Sequence, residues 1–307
     1  MNLFTLKGHI KYILFSLYNW ILNKNRLRLL LKDEQKFNLT AMIRIKNEAR
    51  FLPELIAYHI EIGVEHFFLY DNQSADNPGH ILKPFIDTGY VTMIDWPIRP
   101  ASPRCFLHFW NNYAHLSKWV AFIDADEYIV EPSDGFLKKH LSTIEVKTSA
   151  LALNWRYFGS SGHDSIPSGL LIENFLQSNE DSNGHIKVIV QPNKVHSTYN
   201  SHNFVYFFPR LARRPNGSRV LGSHCTAGDV EFFRINHYVY RSRENFLSKS
   251  NLGYADAAGH VRNVRNAGRA EVEFTKHNDV SDDFIALNFG ARVRRRLTSF
   301  GYKAPYV

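Results

Sequence analysis

The chain has 307 residues, 44% of them hydrophobic and 14% aromatic, enough to bury a large core and too apolar for a disordered or fibrous chain. Lys and Arg number 37 against 29 Asp and Glu, a formal net charge of +8 that favours an anionic partner: nucleic acid, a phosphorylated small molecule or an acidic membrane surface. The two cysteines, Cys105 and Cys225, lie far apart, which excludes a cysteine zinc cluster and fits a reducing compartment.

At the amino terminus the apolar run YILFSLYNWIL, residues 12–22, is flanked by Lys7, Lys11, Lys24, Arg26 and Arg28. It is too short to span a bilayer and no small-residue cleavage site follows it. Two readings remain: a basic amphipathic helix lying on an anionic membrane surface, or a helix packed on the protein's own core. From Asn38 onward strands and helices alternate. Leu39 to Ile45 reads as a strand, Phe51 to Ile62 as a helix with Pro53 in its first turn and Gly63 after it, and His66 to Tyr70 as a second strand before the turn cluster DNQSADNPG. A helix over 80–87, a strand over 90–94, a helix over 106–117 and a strand over 120–123 complete a βαβαβαβ series. Such a series predicts an α/β fold with a mostly parallel central sheet flanked by helices. Beyond Pro132 the alternation loosens into a helix over 135–141, a strand over 150–156, the loop FGSSGHDSIPSG, a helix over 170–178, and strands near 187–190 and 231–236. Residues 284–300 carry Arg292, Arg294, Arg295 and Arg296 among apolar residues, as a surface helix would. The expected organisation is a basic amphipathic segment over 1–37, one catalytic domain over 38–254, and a basic helical extension over 255–307. Basic and aromatic residues follow no nucleic-acid recognition module, so no nucleic-acid partner is expected.

The stretch VAFIDADEYIV, residues 120–130, sets three acids between apolar runs. Chance alone supplies on the order of one D-x-D in a chain of this composition, so the triplet counts only through its context. A buried strand on its left delivers Asp124 and Asp126 to a carboxyl end, the edge where open α/β sheets bind ligands. Period-two alternation puts the two carboxylates on one side, where they repel unless a cation or a proton lies between them. The first strand ends in RIKNE and the second in YDNQSADN, at the same edge if the strands are parallel. A basic residue, an Asp-Asn turn and a D-x-D suit a nucleotide diphosphate held through a divalent ion.

Four blocks in order, RIKNEARFLPELIAYHIEIGVEHFFLYDNQSADN, KWVAFIDADEYI, NWRYFGSSGH and RINHYVYRSRENFLSKSNLG, resemble the family 92 glycosyltransferases and their bacterial relatives within the GT-A superfamily, over about Leu39 to Tyr254. The resemblance implies a GT-A type single domain that moves a sugar, with inversion, from a UDP-linked nucleotide-sugar donor to a glycan or lipid-linked glycan acceptor, using Mn2+ or Mg2+. It implies that Asp124 and Asp126 bind the metal and the sugar-nucleotide diphosphate, that Glu127 supports the loop, and that His237 completes the metal shell. Asp71, with Asn72 after it, matches the nucleobase-contacting position; Arg44 and Asn47 match the first-strand block beside the nucleotide. Ser242, Phe246 and Lys249 fall on the family's K-S-x-E-E-F-x-x-K segment, in which Asn245 replaces one Glu. Inversion needs a base for the acceptor hydroxyl. By its order in the family pattern Glu173 is the candidate, with Asp164 and His163 as rivals. Acceptor specificity is expected in the loop over 158–169.

Two other classes share parts of this pattern. A haloacid-dehalogenase-type phosphatase also places D-x-D after an apolar strand, but after the first one and followed by Thr or Val, whereas here three strands precede it and Glu127 follows. A non-catalytic sugar-nucleotide-binding protein would keep the fold without turnover. The basic ends and lack of a cleavable signal lead to an expected place at the cytoplasmic face, peripheral to the membrane.

Overall fold

A computed structural model describes residues 3–22, 35–98, 104–144, 146, 148–207, 209–225, 233–252, 272 and 274–303. Lys24, Arg26, Arg28, Glu231 and the expected boundary at 254 lie outside the described residues, as does the side chain of Lys249.

The apolar runs form strands where expected. Strand β1 (Phe37–Ile45) pairs in parallel with β2 (His66–Asp71) on one side and β4 (Ser117–Asp124) on the other, and β2 pairs in parallel with β3 (Val91–Asp95). The crossovers are α1's successor α2 (Leu52–Glu61), the short α3 (Pro78–Ile81) and α4 (Lys83–Asp87), and α5 (Arg104–Asn112); α1 itself is Leu3–Leu22. Strands β1, β2 and β4 are buried on both faces because each face has its own layer, whereas the edge strand β3 is only partly buried. Ala41, Ile43 and Ile45 point to α2, and Met42, one step out of phase, points to Phe68, Phe109 and Phe122 on the α5 side.

After Asp124 the sheet turns mixed. Strand β5 (Glu127–Val130), helix α6 (Phe136–Ile144), strand β6 (Ala150–Tyr157), one-turn helix α7 (Leu171–Asn174) and strands β7 (Gln177–Ser178) and β8 (Ile186–Val190) follow in order. Strand β8 inserts antiparallel between β4 and β6. Strands β9 (Val195–Thr198) and β10 (Phe204–Tyr206) form a separate hairpin, and β11 (Ala212–Arg213) and β12 (Arg219–Val220) extend the edge beyond β6. Strand β13 (Arg234–His237) lies between β5 and β6, and β14 (Val280–Ser281) pairs with β7. The architecture is α/β with a mixed central sheet whose first four strands are all parallel.

One element differs from the sequence expectation. The helix expected over 170–178 stops after one turn, because Asn174 turns its amide back onto the carbonyls of Ser168 and Leu170 and Gln177–Ser178 pairs with β14 instead. The carboxyl-terminal helix Phe284–Ser299 lies on the surface, and three of its arginines, Arg292, Arg294 and Arg296, are paired with acids elsewhere in the chain while Arg295 is exposed. Ile285, Phe289, Val293 and Leu297, four residues apart, pack on the core, and Arg292 and Arg296 both grip Glu61 at the end of α2, at 2.9 and 2.7 Å.

Candidate active site

Register builds the site. Arg44 lies opposite Asp124 across the β1–β4 pair, Ile45 opposite Asp71, and Asp71 opposite Asp95. The carboxyl ends RIKNE, YDNQSADN and DADE therefore share one edge. The strand order β3-β2-β1-β4 reverses at β1, so the crevice between β1 and β4 is the topological switch point, where ligands bind in open α/β sheets.

Asp124 stands there in a field of cations. Its Oδ2 accepts from Lys187 Nζ at 2.5 Å and its Oδ1 faces Arg44 Nη2 at 3.4 Å, while the Arg44 guanidinium rests over Phe106. Burial pushes the Asp124 carboxyl up, but the charges of Lys187 and Arg44 overcome it and hold the acid below the ordinary carboxylate range. Glu127 supports this corner, as expected: its Oε2 accepts the Asp124 N–H at 2.9 Å. Burial pushes the Glu127 carboxyl well up; Lys187 opposes this, and the charges of Asp124 and Asp126 add to it. Lys187 is 2% exposed, and burial alone would lower its pKa, but Asp124 and Glu127 raise it above the ordinary value. It was missed in the sequence, although a lysine inside the apolar run IKVIV is the same signal that marked the acids.

Strand β13 brings the late block to the same corner. His237 lies opposite Glu127 on β5 and opposite Tyr157 on β6, and its Nε2 faces Asp126 Oδ1 at 3.4 Å. His237 packs on Trp155, with ring centres 4.4 Å apart, and its Nδ1 is buried without a hydrogen bond among the described residues. The next residue, Tyr238, donates its N–H to the Asp126 carbonyl. Arg241, also missed in the sequence, is completely buried at φ +46°, a left-handed conformation unusual for a residue with a Cβ. It donates to Glu48 Oε2 at 2.6 Å and to the Ala125 carbonyl at 3.2 Å, and its guanidinium stacks on Phe51. Arg241 thus ties the end of the first-strand block to the peptide between Asp124 and Asp126.

The other expected contacts divide. Asp71 turns one oxygen onto the Ser74 N–H at 3.0 Å, and its second takes no hydrogen bond among the described residues. Asn47 is committed to the neighbouring loop: its N–H donates to Ser74 Oγ and its Oδ1 accepts from Ala75 N–H. The Asn72 amide donates to the Trp96 and Ile98 carbonyls. Ser242 caps helix α8 (Arg243–Leu252), its Oγ accepting the Asn245 N–H, and Phe246 is buried against Tyr240 and Phe274.

The base candidates are not placed alike. Both Glu173 oxygens accept from the Arg294 guanidinium, and the carboxylate lies close over Gly290 of the carboxyl-terminal helix, where a Cβ would come within 2.7 Å of Glu173 Oε1. Asp164 is 82% exposed and bonded through Oδ1 to Arg243 Nε at 2.9 Å; its carbonyl accepts the Glu244 N–H at the start of α8. His163 is held by the Asn174 carbonyl at 3.0 Å.

The sequence match decides the family. The model of glycosyltransferase family 92 matches residues 45–251, which contain every residue of the corner from the end of β1 to α8 save Arg44. The chain belongs to glycosyltransferase family 92. A family 92 protein of Ricinus communis is 28% identical over 242 residues, 78% of this chain and 42% of its own length. One of Oryza sativa is 36% identical over 126 residues, 40% of this chain and 22% of its own. This family 92 chain thus spans about two fifths or less of the length of these curated relatives. Among solved structures, S. aureus TarS 1–349 in complex with UDP-GlcNAc matches with a TM-score of 0.37 at 14% identity, covering 86% of this chain and 80% of that one. The mannosyltransferase PcManGT from Pyrobaculum calidifontis, in complex with GDP-Man and Mn2+, matches with a TM-score of 0.29 at 14% identity, over 48% and 44% of the chains.

Proposed function

We propose that this family 92 chain is a metal-dependent, inverting glycosyltransferase that moves a hexose from a UDP-linked donor to a glycan or lipid-linked glycan acceptor at the cytoplasmic face of a membrane. The observation that carries the reading is the corner at the β1–β4 switch point, where Asp124, Asp126 and His237 from two distant blocks meet the fixed cations Arg44 and Lys187. Among the described residues no three His, Cys, Asp or Glu side chains are gathered as a ready-made metal cage. A carboxylate and an imidazole nonetheless face each other in Asp126 and His237, a donor pair that suits Mn2+ or Mg2+ once diphosphate oxygens join it. Asp126 and His237 would hold the ion, with Asp124 beside them. When bound, the ion neutralises the charge that grows on the leaving diphosphate.

The protein groups have separate tasks. Arg44 and Lys187 keep Asp124 ionised and fixed, so that it accepts hydrogen bonds from the nucleotide without drifting toward Asp126. Arg241 fixes the Ala125 peptide and hence the spacing of the two acids. Asp71, with one oxygen not engaged by its turn, binds the nucleobase side of the donor; Asn47 and Asn72 hold the surrounding loops. We assign the base to Asp164, whose carboxylate is open to an acceptor, rather than to Glu173, whose oxygens both serve Arg294.

The test is a screen of nucleotide sugars for Mn2+-dependent release of the nucleoside diphosphate. UDP-sugar turnover is expected, lost in Asp126→Ala and weakened in its metal dependence in His237→Ala; Asp164→Asn is expected to reduce kcat more than Glu173→Gln. Release that is unchanged in Asp126→Ala refutes the metal assignment. Absence of turnover with every nucleotide sugar, despite binding, leaves a non-catalytic sugar-nucleotide-binding protein.

A further inference from the structure

Helix α1 meets the domain along a narrow stripe. Tyr12 is 2% exposed and donates its hydroxyl to the Phe204 carbonyl at 2.8 Å, and its ring and that of Phe15 meet Tyr199 edge-on at 4.9 and 5.3 Å. Asn19, two turns on from Tyr12, is fully buried. The spacing 12, 15, 19 is one face of a helix. The rest of the helix carries large apolar side chains outward: Ile13, Leu14, Leu17, Tyr18, Trp20 and Ile21 are between 43% and 74% exposed. Most of the exposed large apolar side chains among the described residues belong to this one helix. A continuous apolar face of this size marks an interaction surface.

We propose that the outward face of α1 docks on an anionic lipid surface, with the domain riding on it rigidly through Tyr12, Phe15 and Asn19. Charge selects the occupant. The helix contains Lys7 and Lys11, both exposed, and no acidic residue, and Lys24, Arg26 and Arg28 follow it in the chain. In a twofold pair of chains this face would meet the same acid-free, basic helix, whereas anionic headgroups complement it. Tyr18 and Trp20 suit the headgroup boundary, where an apolar ring body and a polar edge both find a partner. No helix of the described residues is long and apolar enough to cross a membrane, so the helix would lie in the surface plane. The inward stripe packs on the domain, one of the two packing modes the sequence allows, and the proposal assigns the other mode to the outward face.

The inference rests on exposed surface and not on the reaction proposed above, and its test uses no substrate. The 307-residue chain is sedimented with vesicles of phosphatidylcholine alone and of phosphatidylcholine mixed with phosphatidylglycerol. Binding is expected to the mixed vesicles. Loss of two charges in Lys7→Gln/Lys11→Gln is expected to lower the partition coefficient about 30-fold, from roughly 1 kcal/mol per basic residue near an anionic surface. Leu17→Glu/Ile21→Glu, at positions that touch nothing of the domain's core, is expected to abolish binding while thermal unfolding stays as in the parent. Protein that remains in the supernatant with mixed vesicles overturns the proposal, as does a Leu17→Glu/Ile21→Glu variant that sediments like the parent. A dimer in light scattering that this variant dissolves, without vesicle binding, would give the face to a second copy and also overturn it.

Discussion

Lys187→Met isolates the contact on which the corner depends. The ammonium is 2% exposed and lies 2.5 Å from Asp124 Oδ2 and 3.5 Å from Glu127 Oε2, so methionine keeps the stem and removes the charge. Asp124 then faces Arg44 at 3.4 Å with one oxygen deprived of its donor. Breaking a buried ion pair from one side costs about 3–5 kcal/mol, because the remaining charge stays uncompensated. Asp124 is 33% exposed, so water covers part of it and the lower end applies, about 3 kcal/mol. A domain with typical stability, about 5–15 kcal/mol, survives that loss, and urea unfolding can measure it. Asp124→Asn combined with Lys187→Met removes both charges of the 2.5 Å pair together, so the double variant should lose less than the sum of the singles, with a coupling of about 1–3 kcal/mol. A Lys187→Met variant within about 1 kcal/mol of the parent, or additive singles, would show that Lys187 does not hold Asp124.

Gly159 opens the loop over 158–169, and a Cβ there would lie 2.5 Å from the His277 carbonyl oxygen and 2.5 Å from Asn278 Oδ1, which accepts the Ser161 N–H. Gly159→Ala should therefore lose about 1–3 kcal/mol in thermal unfolding, since backbone on the other side cannot yield like a flexible side-chain tip. Glu54 is buried beneath α7 and accepts the Leu171 and Ile172 N–H groups at 2.6 and 2.9 Å. Burial raises its carboxyl to about 7, against the lowering effect of those two N–H groups. The folded chain thus keeps a proton that the unfolded chain releases near 4.5, so the stabilisation is complete below that value and is lost as pH rises through about 7. Unfolding free energy measured from pH 5 to 8 should fall by an amount on the order of 3 kcal/mol from this group, and Glu54→Gln should remove that slope.

The legible part of the molecule is the part encoded locally. Strands β1, β2 and β4 could be read because each is a short apolar run closed by polar residues, and their common edge followed from the parallel reading that the register bears out. Lys187 could not be placed that way. Its strand enters antiparallel between β4 and β6, a pairing that depends on both neighbours and on no local signal, and only this pairing sets the ammonium against Asp124. Arg241 escaped for a different reason: a left-handed φ is unremarkable to expect at glycine and invisible at arginine, where Glu48 and the Ala125 carbonyl hold it. The same logic redistributes the charge excess. Read as composition, the arginines near the carboxyl end belonged to a basic surface, but Arg292, Arg294 and Arg296 are spent on Glu61, Asp134 and Glu173, which come from three other parts of the chain. A net charge therefore identifies a partner only after internal pairs are removed, and among the described residues α1 sets the exposed Lys7 and Lys11 beside an uncovered apolar face, which is why the anionic surface is sought there.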